Sequence, residues 1–221
     1  ILSNVDNLIE STVQVIAHSK KVKTGLMQKL LTRGIGHTKF KKITLGLRYM
    51  KKEIPLDWEV VKIGHRCESI VSGRNKPEKF DGQIPWLTTD DFDQFYVEES
   101  KKNLNVSEIE LKEKSGKIIP ANSVLIACVG DLGLIGINKI KVSMNQQLHA
   151  FVCPKEIVPY FLAQYLSTMK NYMKAIATTT TLPYINKENC ESIVIVIPPL
   201  PEQQKIASIL SNIDSKITSQ E

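Results

Sequence analysis

Pro198-Pro199-Leu200-Pro201-Glu202-Gln203-Gln204-Lys205-Ile206-Ala207 is the stretch that decides how this chain is organised. It reads as a hard stop followed by a helix. The prolines forbid helix up to Leu200, and Pro201 suits the first helical position, where its missing N–H is not needed. Glu202 falls in the first turn, where a carboxylate suits the helix dipole. Beyond it Ile206, Leu210, Ile213 and Ile217 recur at helical spacing, an apolar stripe for a partner helix.

That helix repeats the start of the chain. Ile1-Leu2-Ser3-Asn4-Val5-Asp6 recurs as Ile209-Leu210-Ser211-Asn212-Ile213-Asp214, with one Val/Ile exchange, and Ser11 and Ser219 extend the echo. An internal repeat sets the architecture. Here it brackets one globular segment, so the unit is helix, domain, helix. The chain starts halfway through one copy and stops halfway through the next, and it has no initiator Met. It is expected to be part of a longer tandem protein, or one half of a dimer.

Residues 1–36 read as one long spacer helix. Ile1, Leu8, Val15 and Val22 recur every seven residues, and Val5, Thr12, Ser19 and Leu26 fill the other seam position. Gly34 and Gly36 end it. At ~1.5 Å per residue it reaches roughly 45–50 Å. Residues 37–53 read as a basic connector, 54–197 as a globular α+β segment of short strands and helices, and 198–221 as the start of a second long helix. Within the segment, Val60 to Ile63, Ile84 to Leu87, Ser123 to Val129, Leu134 to Asn138, Leu148 to Val152 and Ile193 to Ile197 read as strands. Ser107 with Glu110 predicts a capping box. Pro159 starts an amphipathic helix from Tyr160 to about Ala177, broken by the threonines at 178–181.

The chain has 221 residues and 42% hydrophobic content, enough for a real core. No apolar run approaches the ~20 residues that span a bilayer, and a cytoplasmic protein is expected. Cys67, Cys128, Cys153 and Cys190 are far apart and form no CxxC, so they read as reduced thiols rather than metal ligands. The net charge of +6 is unevenly spread. No acidic residue occurs from Ser11 through Lys52, a stretch holding Lys20, Lys21, Lys23, Lys29, Arg33, Lys39, Lys41, Lys42, Arg48, Lys51 and Lys52. Such a block faces water or a polyanion. Its length favours the phosphate backbone of nucleic acid over a solubilising surface.

Catalytic motifs are missing. There is no GxxxxGK[ST], no HExxH and no Asn-Pro-Pro-Tyr type of motif, and the histidines at 18, 37, 65 and 149 suggest no triad or metal cluster. His149, in an apolar strand, reads as a satisfied core histidine. Side chains able to read bases sit in polar loops. Arg74, Lys76 and Lys79 could reach guanine or phosphate, and Asn145, Gln146 and Gln147 could pair with adenine edges. Thr88, Thr89, Thr179, Thr180 and Lys187 offer hydroxyls, methyls and charge for phosphates and bases, and Lys39, Lys41 and Lys42 offer charge for phosphates. Alternatives stay open: a turn with solvated amides for 145–147, a flexible loop for the threonines, helix capping for Asp90 and Asp91.

Several stretches together resemble the specificity subunit of type I restriction–modification systems. They are Ile54-Pro55-Leu56-Asp57-Trp58-Glu59, Ile84-Pro85-Trp86-Leu87-Thr88-Thr89, Met144-Asn145-Gln146-Gln147, Thr181-Leu182-Pro183-Tyr184-Ile185-Asn186-Lys187 and, above all, Pro198 to Leu210. The resemblance covers essentially the whole chain. It implies a target-recognition domain beside long conserved helices that pair antiparallel and set the distance between two such domains. Each domain would read one half of a split double-stranded DNA target. Methyltransferase and restriction subunits would bring the catalytic sites, S-adenosylmethionine and ATP, leaving this chain non-catalytic and without a cofactor of its own. Only one recognition domain is present, which fits the C-terminal half of a subunit or a half-length subunit that dimerises. A helix of roughly 45–50 Å would itself separate two reading domains by more than a DNA turn of ~34 Å. The competing reading is a coiled-coil assembly module that binds protein and no nucleic acid.

Overall fold

The computed structural model describes residues 2–45, 50–73, 75–92, 95–178 and 182–220. Helix α1 (Leu2–Arg33) is followed by β1 (Phe40–Leu45), β2 (Met50–Pro55), β3 (Glu59–Lys62), β4 (Glu68–Val71), β5 (Ile84–Leu87), β6 (Tyr96–Val97) and β7 (Asn105–Val106). Then come α2 (Glu108–Glu113), β8 (Val124–Ala127), β9 (Ile135–Asn138), β10 (Ser143–Met144) and β11 (Leu148–Val152). The chain closes with α3 (Pro159–Ser167), α4 (Lys170–Ile176), α5 (Lys187–Glu191), β12 (Val194–Ile197) and α6 (Leu200–Thr218). The expected α+β class is observed. The chain forms two compact units, Ile1–Thr44 with Lys51–Trp58 and Pro198–Glu221, and Leu45–Met50 with Glu59–Ile197. Thus Ile54 to Trp58, read as the opening of the globular segment, cluster with the helices.

In the helical unit, α1 ends where Gly34 and Gly36 take positive φ (65° and 75°), as the sequence requires. Helix α6 runs back along it. Glu202 at its start meets Ile35, and Asp214 near its end meets Lys23, which makes the pair antiparallel. On α6 Ile206, Leu210 and Ile217 are buried and Ile213 is half-buried, and on α1, which packs against it, Leu30 and Leu31 are buried and Leu26 is half-buried. Toward the N-terminus the stripe is uncovered: Val5, Leu8, Val15 and Val22 are exposed, Leu8 by 68%. The basic connector is in fact a strand pair, β1 with β2. Its basic residues hid it. The Lys41 ammonium donates to the Trp58 carbonyl at 2.5 Å, while Arg33 lies over the Phe40 ring at 4.8 Å. Basic side chains can thus serve a folded strand pair rather than a solvated linker.

The strand-rich unit is built on a five-stranded sheet, β4-β11-β8-β9-β6, antiparallel except for β6 beside β9. A second sheet, β10-β5-β7, sets β10 parallel to β5, with Ser143 opposite Trp86. Strands β3 and β12 pair antiparallel. Every residue of β5 and β8 is buried, which explains their unbroken apolar runs. Leu87, Leu125, Val142, Met144, Leu148 and Ala150 form one core cluster.

Two local expectations need correction. The helix read from Tyr160 to about Ala177 is two helices, α3 and α4. Ser167 Oγ and Thr168 Oγ1 donate to the Gln164 and Tyr165 carbonyls, each at 2.7 Å, and the Thr168 and Met169 N–H groups turn back to Tyr165 and Leu166. Local hydroxyl bonds of this kind compete with the helical ladder. The capping box at α2 is half formed. Ser107 Oγ accepts from the Glu110 N–H at 3.2 Å, but the Glu110 carboxylate accepts instead from the N–H groups of Glu78 (2.7 Å) and Lys79 (3.3 Å). Those bonds favour its charged form and hold the carboxyl below its ordinary range.

Candidate nucleic-acid interface

Two of the polar stretches singled out in the sequence meet. Lys76 from one and Asn145, Gln146 and Gln147 from the other line a single pocket of about 210 Å³, together with Ser72, Gly73, Asn75, Trp86 and Met144. The strand pairings explain the meeting. Val71 at the end of β4 lies opposite His149 of β11, so the loop holding Lys76 begins beside the 145–147 turn, and β10 lies beside β5, where the Asn145 N–H extends the ladder by donating to the Leu87 carbonyl at 2.9 Å. Asn145 then folds the chain into β11. Its Oδ1 accepts from the Gln147 N–H at 3.0 Å, and its Nδ2 donates to Gln147 Oε1 at 2.9 Å. This is an Asx turn. It leaves Asn145 and Gln147 half-buried and Gln146 exposed. Of the three amides, Gln146 is therefore the one presented outward. Opposite it, the loop at Gly73 passes so close to the Ser115 carbonyl that a Cβ would stand 2.2 Å away. Trp86, packed against Phe80 with ring centroids 5.6 Å apart, supplies the aromatic lining.

The other candidates lie elsewhere. The Thr88 N–H and hydroxyl both donate to Asp91 Oδ2, at 2.6 and 3.1 Å, and Asp91 Oδ1 accepts from the Lys101 N–H at 2.8 Å. Capping, the alternative left open for Asp91, is what is found there, and Thr88 is engaged in it. Asp90 pairs with Lys102 at 2.7 Å, which lowers its carboxyl pKa. Thr89 is half-buried in the short 3₁₀ turn that follows Thr88, and Lys79 is exposed. Lys187 is exposed in the first turn of α5, its ammonium 3.5 Å from Glu191. Lys39 and Lys42 are exposed beside and on β1, whereas Lys41 is tied to Trp58. Arg74, Thr179 and Thr180 lie outside the described residues, as does Thr181.

Two constellations escaped the sequence reading. The first is Glu202, read only as a helix-dipole residue. Its carboxylate accepts from the Ile35 N–H at 2.8 Å and from Trp58 Nε1 at 3.0 Å, and lies 2.9 Å from His37 Nε2. Gln203, itself buried, donates back to the Pro198 carbonyl at 2.9 Å. A side chain at Gly34 would collide with Glu202, His37 and Trp58. The available signal was a carboxylate directly after a proline stop. The second concerns the cysteines, far apart in sequence and paired in space. His149 is 2% exposed and satisfied, 2.7 Å from Ser69 Oγ and stacked near Phe151. No helix among the described residues is long and apolar enough to cross a membrane.

Residues 55–221 match the family described as the type I restriction modification DNA specificity domain. The chain is 32% identical to the putative type I restriction enzyme MjaX specificity subunit of Methanocaldococcus jannaschii, over 98% of this chain and 49% of that protein. It is also 32% identical to the MjaIX specificity subunit of the same organism, over 81% of this chain and 42% of that one. The chain spans about half the length of these curated relatives. Its fold is similar to the crystal structure of the HsdS subunit from Thermoanaerobacter tengcongensis, with a TM-score of 0.66 at 15% identity, over 99% of this chain and 48% of that one. With its specificity-domain match running from Pro55 to Glu221, the chain belongs to the type I restriction modification DNA specificity family.

Proposed function

We propose that this chain is a sequence-specific DNA recognition component of a type I restriction–modification complex. It reads one half of a bipartite double-stranded target and positions methyltransferase and restriction subunits, which carry the chemistry. The observation that carries the reading is the convergence of Lys76 with Asn145, Gln146 and Gln147 on one pocket, inside the stretch that matches the family. A cation beside exposed amide is the donor–acceptor mixture that distinguishes base edges in a major groove. The exposed Lys39 and Lys42, in a stretch without acidic residues, supply phosphate contacts. The uncovered stripe of α1 supports pairing with a second copy of the chain, or with the other half of a longer subunit, through antiparallel helices. The complex works in the cytoplasm.

The test is binding of defined duplexes by the chain with methyltransferase subunits from its source. Preference for one half-site is expected. Gln146→Ala then relaxes that preference by ~1–3 kcal/mol. Lys42→Ala weakens all duplexes alike and lowers the salt slope by about 1. Lys41→Ala is a poorer probe, since its ammonium holds the Trp58 carbonyl. Absence of preference for any duplex in the assembled complex rejects the reading. No retention on heparin or DNA at moderate salt would favour a pure coiled-coil assembly module.

A further inference from the structure

All four cysteines of the chain lie in the strand-rich unit, and each meets another. Cys67 and Cys153 are near enough for each thiol to shift the other's pKa, down for Cys67 and up for Cys153. Cys128 and Cys190, 62 residues apart in sequence, bring their Sγ atoms to 3.3 Å, with both residues buried. Strand β8 delivers Cys128 and helix α5 delivers Cys190. The Cys128 backbone holds the two segments together, its N–H donating to the Gln147 carbonyl at 2.7 Å and its carbonyl accepting from the Ile185 N–H at 2.8 Å. His149 lies within 4.8 Å of both sulfurs.

We propose that Cys128 and Cys190 are a modification site, a buried dithiol that a peroxide oxidises reversibly to a disulfide within the folded chain. The environment separates the roles of the two thiols. Cys190 shares a hydrogen bond with Cys128 and sits beside His149, surroundings that favour its thiolate, while that bond and burial keep the proton on Cys128. The Cys190 sulfur attacks one peroxide oxygen, the O–O bond breaks and water leaves, giving a sulfenic acid. The Cys128 sulfur then attacks the Cys190 sulfur, the S–O bond breaks and a second water leaves. Two thiols and one hydrogen peroxide thus give one disulfide and two waters. A peroxide is small enough for a site this enclosed. The bridge would pin the segment before α5 to the end of β8 and restrict the unfolded chain, so the oxidised form melts at a higher temperature. The inference does not require the chain to bind DNA.

The same three side chains could in principle hold a thiophilic cation. Structural zinc sites use four protein ligands, and among the described residues this group offers three. The geometry therefore favours oxidation.

The test uses the whole chain carrying Cys153→Ser, so that the other pair cannot contribute. It is treated with hydrogen peroxide, quenched with catalase, denatured in N-ethylmaleimide and weighed. The expected product is lighter by two hydrogens before alkylation, carries one maleimide, on Cys67, and yields a cross-linked Cys128–Cys190 peptide. Dithiothreitol restores three alkylated thiols. Alkylation of both Cys128 and Cys190 after oxidation overturns the proposal, as does their conversion to sulfinic acids without a cross-link. Zinc retained in native mass spectra, with both thiols protected from peroxide, overturns it in favour of a metal site. If Cys153→Ser does not fold, the cross-linked peptide is sought directly in the unmodified chain, with the same outcomes.

Discussion

The second halves of the two hexapeptide copies, Asn4-Val5-Asp6 and Asn212-Ile213-Asp214, are covered to different degrees. In 209–214, Leu210 is fully buried, Ile213 is half-buried and Asp214 pairs with Lys23 at 2.6 Å. In the first copy, Val5 is 48% exposed and Asn4 and Asp6 are exposed. Near-identical sequence leaves Val5 and Asp6 exposed and their counterparts Ile213 and Asp214 half-buried. The difference lies in what runs alongside. Helix α6 has 19 residues and α1 has 32, so α6 reaches ~28 Å along a helix of ~48 Å. An apolar stripe specifies a helix and a sticky face; it does not specify the partner. Each Val or Leu left uncovered on α1 forgoes roughly 1.5–3 kcal/mol of burial free energy.

This contrast can be broken by substitution. Leu210→Ala should cost about 2–5 kcal/mol in urea unfolding of the chain, the range for a leucine removed from a closed core. Leu8→Ala should cost under about 0.5 kcal/mol in the same measurement. Equal losses would mean that the start of α1 is already covered in solution, and sedimentation would then show self-association. Next in size is Glu202→Ala, expected to cost about 1–3 kcal/mol because the N–H groups of Ile35 and Trp58 lose their acceptor. Trp58 is fully buried, so its fluorescence should shift toward that of a wetter environment in this variant; an unchanged spectrum would remove Glu202 from the role of junction. Smallest is Asp214→Asn, up to about 1 kcal/mol and vanishing at high salt, against no effect for Asp6→Asn. A larger loss at Asp6 would reverse the assignment of the paired copy.

Much of the fold was legible in the sequence. The proline stop marked the start of α6 to within one residue, and the apolar runs marked β5, β8 and β11. Physical ambiguity hid the rest. β1 carries Lys41, whose ammonium is held by the Trp58 carbonyl, and the exposed Lys42, so charge concealed a strand. Ser167 and Thr168 are acceptable helix residues until their hydroxyls turn back on the carbonyls before them. Ser107 was correctly read as a cap, but the carboxylate expected to reciprocate reaches a loop from another part of the chain. The pocket was half legible. Its polar residues stood out by type, yet the Asx turn that commits Asn145 and leaves Gln146 outward depends on the pairing of β10 with β5. The groups around Glu202, at positions 35, 37 and 58, have no mutual spacing that could announce them. The cysteine pairs are hidden for the same reason, since distance along the chain says nothing about neighbours across a sheet.

One feature of the strand-rich unit reaches beyond stability. In the pairing of β3 with β12, Glu59 stands opposite Ile197. At these residues the chain makes its longer excursion out of the helical unit, the shorter one being Leu45–Met50. Everything between them is thus an insertion whose two ends are adjacent strand partners, the arrangement in which domains tolerate transplantation. In evolutionary terms, a single recombination event on each side of 59–197 would exchange this insertion while leaving α1, α6 and the Glu202 junction untouched. Selection could renew the inserted segment without rebuilding the helical unit.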